Sequence, residues 1–209
     1  MKILILILFC CLMPLFCYAM PENDIFEIKQ DMSKNPIFMN NLERCPADTS
    51  PNKKAKLLQD DTILAAYCQK NTLACYKKCE HDQGHACYFT ALSLQQAHQA
   101  QSAEQLFQRG CELGVASACT NRAAGAMTFM DTLSLERKQC ITRTFEKSCR
   151  WNDPWGCTMY VAELIKNDNS KETYDKALDA LIMSCVYGKS DPACTQGLEL
   201  KRYILDHRD

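Results

Sequence analysis

Cys111-Glu112-Leu113-Gly114-Val115-Ala116-Ser117-Ala118-Cys119 sets two cysteines eight apart around a Leu-Gly pair, with alanine before the second cysteine. The spacing returns in Cys79 and Cys87 and in Cys149 and Cys157, and Cys185 and Cys194 repeat it with one residue inserted. Upstream of the first cysteines stands a helical apolar periodicity, as in Ala103, Leu106, Phe107 and Gly110, or Tyr174, Ala177, Leu178, Leu181 and Ile182. Downstream of the second cysteines a new periodicity starts, as in Cys157, Tyr160, Val161, Leu164 and Ile165, or Cys194, Leu198 and Ile204. Between them lie Gly84, Gly114, Gly188, Asp153-Pro154 and Asp191-Pro192. Glycine breaks a helix, Asp caps one, and Pro occupies a first helical turn. Each unit therefore reads helix, short turn, helix.

A bridge from the last turn of one helix to the first turn of the next needs Cα atoms roughly 4.4 to 6.8 Å apart, which a tight antiparallel turn supplies. Disulfides Cys79–Cys87, Cys111–Cys119, Cys149–Cys157 and Cys185–Cys194 are therefore expected. Closing a loop of about nine residues contributes about 2.6 kcal/mol in the chain-entropy model. The pairs recur every 32 to 38 residues, a period of helical solenoids. One such hairpin cannot bury its apolar face alone, so stacked hairpins share a continuous core and form a curved surface. Seven glycines and almost no alternating apolar pattern argue against sheet. The expected fold is all-α: an α/α superhelix of stacked helical hairpins stapled by disulfides.

The chain resembles the Sel-1-like repeat family, relatives of the tetratricopeptide repeats, and within it the secreted cysteine-rich members. The residues that carry the resemblance are the Ala-Cys starts at Ala86-Cys87, Ala118-Cys119 and Ala193-Cys194, the helix ends at Cys79, Cys111, Cys149 and Cys185, and the Leu113-Gly114 turn. It covers residues 71 to 207. The resemblance implies an exported protein-protein interaction module, in the manner of periplasmic regulators, assembly factors and immunity proteins. It also implies a second class, a penicillin-binding or β-lactamase-like hydrolase.

At the start, Lys2 precedes an apolar run from Ile3 to Phe16, broken only by Pro14 and followed by Cys17-Tyr18-Ala19. This reads as a secretory signal peptide over residues 1–19, cleaved after Ala19, and the run falls short of the roughly 20 residues of a membrane span. Phe9 and Phe16, rather than small residues, precede Cys10 and Cys17, which argues against lipid modification. Cleavage removes Cys10, Cys11 and Cys17 of the fifteen cysteines and leaves an even number. Disulfides in an oxidising compartment follow, periplasmic or secreted. The net charge of −1 favours neither nucleic acid nor a membrane surface as partner.

Residues 20–52, with Pro36, Pro46 and Pro51 and apolar clusters at Ile25-Phe26-Ile28 and Pro36-Ile37-Phe38-Met39, read as an irregular arm or short helices capping the first repeat. Residues 53–209 form the repeat domain. Leu57, Leu58, Ile63, Leu64 and Tyr67 predict a helix over 53–69, and a shorter helix follows over 73–80. Leu198 to His207 predict the last. Cys45, Cys68, Cys75 and Cys140 remain, with three connectivities open; Cys68–Cys75 is the preferred local pair, across a turn at Lys70-Asn71.

Ser50-Pro51-Asn52-Lys53 matches the Ser-x-x-Lys of serine penicillin-binding enzymes, but the accompanying Ser-Asp-Asn and Lys-Thr-Gly patterns are absent. Ser50 before Pro51 reads better as a helix cap. His81 and His85 between Cys79 and Cys87 could complete a tetrahedral zinc set, yet the other pairs carry no histidine, so paired cysteines with turn histidines are favoured. No cofactor or metal is expected. Trp151 and Trp155 flank a turn, where they either clamp adjacent repeats or stand as binding anchors. In stacked hairpins the first helix of each repeat lines the concave side. Positions two and six beyond each second cysteine share one side of that helix, which makes Phe89, Ser93, Asn121, Met159, Glu163 and Gln196 the candidate protein-binding stripe.

Overall fold

In the computed structural model, which describes residues 20–39, 42–56, 61–128 and 133–208, each turn of the cysteine ladder puts the third residue after its first cysteine in the left-handed region. Asp82 (φ 63°), Gly114 (φ 89°), Asn152 (φ 62°) and Gly188 (φ 101°) occupy that position in the four turns. These are the residue types that tolerate it. In the first three turns the next amide closes a six-residue ring onto the preceding helix, as in Val115 N to Gly110 O (3.0 Å) and Asp153 N to Ser148 O (3.1 Å). Asp82, rather than Gly84, therefore carries the reversal of the first turn; Gly84 already belongs to the next helix. Asp153 and Asp191 accept from Gly156 N and Ala193 N (2.8 Å each), with Pro154 and Pro192 just inside the helices they start.

Twelve helices result, with no strand among the described residues. The arm holds α1 (Glu22–Lys34), α2 (Pro36–Met39) and α3 (Pro46–Thr49). The repeats follow as α4 (Asp61–Lys70) with α5 (Thr72–Glu80), α6 (Gly84–Gln96) with α7 (Ala100–Glu112), α8 (Ala116–Met127) with α9 (Leu135–Arg150), α10 (Pro154–Asn167) with α11 (Lys171–Ser184), and a final α12 (Pro192–His207). The four ladder disulfides are present, with Cα–Cα separations of 4.6, 4.5, 4.3 and 4.4 Å in chain order. Cys68–Cys75 is also present, and the last two cysteines close as Cys45–Cys140, 95 residues apart. The signal-peptide expectation for residues 1–19 lies outside the described residues.

From α4 onward consecutive helices pack against each other, as do α1 and α2, and first helices of adjacent repeats also meet directly in three of four cases, α4 with α6, α8 with α10, and α10 with α12, whereas α6 and α8 make no comparable contact. Second helices of adjacent repeats make no comparable contact. The stack therefore curves with the first helices inside. Its core is spread along the stack: Leu94, Leu106 and Phe107 near the start, Ile141, Phe145 and Tyr160 in the middle, and Tyr174, Leu181 and Ile204 at the end.

Two expectations change. The arm, read as irregular chain or as short helices, is helical: Ile25, Ile28 and Met32 repeat at helical spacing, and α1 buries Ile28 and Met32 against the first core cluster. Nor does it cap only the first repeat. α1 packs on α5, α2 on α7, and α3 on α7, α8 and α9, so the arm lies along the outer helices of three repeats. Side chains from those helices hold its backbone: Gln105 Nε2 donates to Phe38 O (3.0 Å), Arg122 Nη2 to Leu42 O (3.0 Å), and Lys147 Nζ to Ala47 O (2.9 Å) and Ser50 O (2.8 Å). The second change concerns the helix over 53–69: residues 53–56 lie outside any helix, residues 57–60 with Leu57 and Leu58 lie outside the described residues, and the described helix runs Asp61–Lys70. Before it, Ala55 N donates to Gly114 O (2.8 Å), and the chain crosses the Leu113-Gly114 turn. A β-carbon on Gly114 would lie 2.9 Å from Ala55 N, so glycine serves both the left-handed φ and the crossing.

Candidate binding face

The inward surface of the first helices follows from which positions the neighbouring helices leave uncovered. Counted from the second cysteine of each pair, these are positions −2, +2 and +5: His85, Phe89 and Leu92 on α6; Ser117, Asn121 and Ala124 on α8; Trp155, Met159 and Ala162 on α10; Pro192, Gln196 and Glu199 on α12. All are half-buried or exposed. Position +2 of the expected stripe is thus uncovered in all four repeats. Position +6 does not hold throughout, and Glu163 is the correction: it is 3 % exposed. At 100° per residue, +5 lies about 60° to one side of +2 and +6 about 40° to the other. On α10 the open side is that of +5, where Ala162 is half-buried, and +6 is covered at Glu163.

The stripe residues differ in freedom. Ser93 Oγ donates to Phe89 O of its own helix (3.2 Å), and Asn121 Nδ2 to Ser117 O (2.8 Å). Phe89 leans on the cluster around Cys68, Cys75 and Ala86, and Met159 on the central cluster. Gln196 is exposed beside Leu200 and Tyr203. Trp155 is 41 % exposed. Trp151 is instead buried in the first core cluster, its ring under Lys147 Nζ at 5.4 Å. The tryptophan pair thus divides, one buried in the stack and one open on the inward surface.

At the N-terminal ends of α6, α8 and α10 the turns gather around a cavity of about 180 Å³, bounded by His85, Tyr88, Phe89, Ser117, Asn152, Asp153 and Tyr187, with Lys54, Ala55 and Asp61 on the arm side. Asp153 anchors this rim. It is buried and accepts from Ser117 Oγ (2.6 Å), Thr120 Oγ1 (2.6 Å) and Gly156 N (2.8 Å), donors that suit a carboxylate. Burial, helped by the charge of Asp153 and opposed by a hydrogen bond from Asn121, pushes the Tyr88 phenol up to about 12. Tyr187, 65 % exposed, stands at the mouth.

The chemical candidates of the sequence are dispersed or consumed. Cys79 and Cys87 are joined to each other, which removes the thiolates a zinc site with His81 and His85 requires. His85 Nε2 instead stands 3.7 Å from Asp61 Oδ2. No group of three metal-ligating side chains occurs among the described residues. Ser50 follows α3 rather than starting a helix, and its Oγ donates to Ala47 O (3.3 Å); Lys53 is exposed where the arm crosses the Gly114 turn. No helix among the described residues is long and apolar enough to cross a membrane. Sequence reasoning missed Tyr187, although its place two residues after Cys185, inside a ladder turn, could have marked it as a rim residue.

Comparison with family models, curated proteins and solved structures finds no match to the chain.

Proposed function

We propose that the chain is an exported repeat protein of the Sel-1-like kind that binds another protein on the inner face of its superhelix. The observation that carries this reading is the set of aromatic side chains left open there, Trp155 at 41 % and Tyr187 at 65 % exposure, with half-buried Phe89 between them and the first repeat. Trp and Tyr are the residue types that dominate binding energy at protein interfaces, and such anchors work best on a frame that loses little entropy on binding. Six disulfides supply that frame and favour a periplasmic or secreted address. Asn121, Gln196 and Glu199 add hydrogen-bonding groups to the apolar anchors, the mixture usual in protein recognition.

The experiment compares the oxidised protein with a Trp155→Ala/Tyr187→Ala variant and an Asn121→Arg/Gln196→Arg variant, each shown to melt within a few degrees of wild type. Partners are recovered by cross-linking in extract of the source cell envelope and identified by mass. Loss of the same partner from both variants is expected, with an affinity at least about 30-fold weaker for the aromatic variant. Retention of every partner by both folded variants refutes the inner face.

A further inference from the structure

In the full repeats the second helix covers one side of the first, and the covered positions recur. Position four beyond the second cysteine is Ala91 in α6, Ala123 in α8 and Val161 in α10, all buried. Ala123 shares a core cluster with Ile141 and Phe145 of α9, and Val161 shares one with Tyr174, Ala177 and Leu181 of α11. Position one is a buried threonine in α8 and α10, each hydrogen-bonded to the serine that ends the covering helix or nearly so: Thr120 Oγ1 to Ser148 Oγ and Thr158 Oγ1 to Ser184 Oγ, both 2.9 Å. α12 repeats these positions as Thr195 and Leu198. Its other side packs on α10 and α11, where a β-carbon on Gly197 would stand 2.9 Å from that of Ser184 and Ile204 joins the last core cluster. Thr195 is exposed and donates to Asp191 O of its own helix end (3.3 Å). Leu198 is 43 % exposed, and Leu205, two turns along the same side, 50 %. No helix among the described residues covers this side of α12 as α9 covers α8 and α11 covers α10.

The covered repeats show what shape fits there. A second helix lies antiparallel on the first, with its serine opposite position one, an apolar residue three places earlier (Phe145, Leu181) and another seven places earlier (Ile141, Ala177). Ile141 shares its cluster with Ala126 and Met127, positions seven and eight of α8, and Ala177 with Ile165, position eight of α10. In α12 positions seven and eight are instead Lys201 and Arg202, both exposed and without an ion-pair partner among the described residues. Cations between two leucines, at positions that are apolar in the covered repeats, call for a helix with a carboxylate where α9 has Ile141 and α11 has Ala177. A second copy of the chain does not supply one. Antiparallel pairing of two α12 helices that sets Leu198 against Leu205 brings both copies of Lys201 and Arg202 together at the two-fold axis, and like charges so placed oppose association.

We propose that α12 docks an acidic amphipathic helix of a partner protein, antiparallel to it, with apolar side chains on Leu198 and Leu205 and a carboxylate between Lys201 and Arg202. The site is separate from the inner face, because Leu198 stands about 160° around α12 from Gln196. The probes are two synthetic peptides of residues 168–184, the α11 sequence with its Ser170 cap, one carrying Ala177→Glu and the other Ala177→Lys. Each is titrated at low ionic strength into the isotope-labelled oxidised protein and followed by amide NMR. The Glu peptide should give one saturable set of shifts at Thr195, Leu198, Arg202 and Leu205, and should bind about fivefold tighter than the Lys peptide. Lys201→Glu/Arg202→Glu, which changes two exposed side chains and should melt as wild type does, should reverse that preference. Leu198→Asp should weaken both peptides by about tenfold or more. Sedimentation of the protein alone should show a monomer at the titration concentrations. No saturable shifts, shifts centred on Asn121 and Trp155 instead, a peptide preference that survives the charge reversal in folded protein, or a dimer that Leu198→Asp dissolves would each overturn the proposal, the last by giving this side of α12 to a second copy.

Discussion

Removing the Cys45–Cys140 bridge should cost more stability than removing any bridge of the ladder, although it joins an arm to a domain that already carries five other staples. The bridge spans 95 residues, and Cys68–Cys75, Cys79–Cys87 and Cys111–Cys119 lie inside that span. Those inner closures shorten the effective loop to about 75 residues, for which the chain-entropy model gives about 4.5 kcal/mol, against about 2.6 for a nine-residue turn. At roughly 2 to 4 °C per kcal/mol for a chain of this size, Cys45→Ser/Cys140→Ser should lower the melting temperature by about 9 to 18 °C. Cys111→Ser/Cys119→Ser should lower it by about 5 to 10 °C. The assay is thermal unfolding of both variants by circular dichroism at equal pH and ionic strength, with the other pairs verified by non-reducing peptide mapping. An arm variant that melts at or above the temperature of the hairpin variant would refute the reasoning, because the ordering rests only on loop length.

Gly114→Ala should destabilise by about 1 to 3 kcal/mol, through the left-handed φ and the crossing chain at Ala55, measured by urea unfolding. Asp153→Ala should cost about 2 to 4 kcal/mol in the same assay, since it removes a helix cap and strands the hydroxyls of Ser117 and Thr120. Tyr88 sets a pH window. Its folded pKa of about 12 lies above the ordinary value of 10.0, so the associated stability is complete below about pH 10 and is lost as pH rises through about 12. Unfolding midpoints of wild type should therefore fall relative to Tyr88→Phe across that window, and parallel curves would contradict it.

The ladder was legible because each pair closes a loop of eight or nine positions, a local constraint written into spacing and into the Asp, Asn and Gly residues that reverse the chain. Cys45–Cys140 was less so, because four cysteines at 45, 68, 75 and 140 admit three pairings: the preferred local pair Cys68–Cys75 leaves these two over, but only the docking of α3 on α9 shows what brings them together across 95 residues. α1 carries a helical pattern in Ile25, Ile28 and Met32, but the prolines downstream left the arm readable either as irregular chain or as short helices. The uncovered stripe of the first helices was half legible. Periodicity places +2 on the inner side, yet whether +5 or +6 continues the stripe depends on which neighbour a helix leans toward, and sequence spacing carries no sign of that lean.

The long bridge also sets a problem of sequence in time. A polypeptide emerges N-terminus first, and Cys45 precedes its partner by 95 residues while Cys68, Cys75, Cys79, Cys87, Cys111 and Cys119 appear in between. Oxidation strictly in order of appearance would join Cys45 to Cys68 and so leave Cys75 to take Cys79, Cys87 to take Cys111, and Cys119 to take Cys140. One premature bond thus displaces the pairing of every cysteine up to Cys140, while Cys149–Cys157 and Cys185–Cys194 keep their partners. Rapid closure of the short hairpins protects the register, since nearby thiols meet sooner than distant ones. Cys45 must wait as a thiol until α9 has formed, or be released from a wrong partner by thiol–disulfide exchange, so every chain whose first bond is premature needs disulfide reshuffling before it can mature.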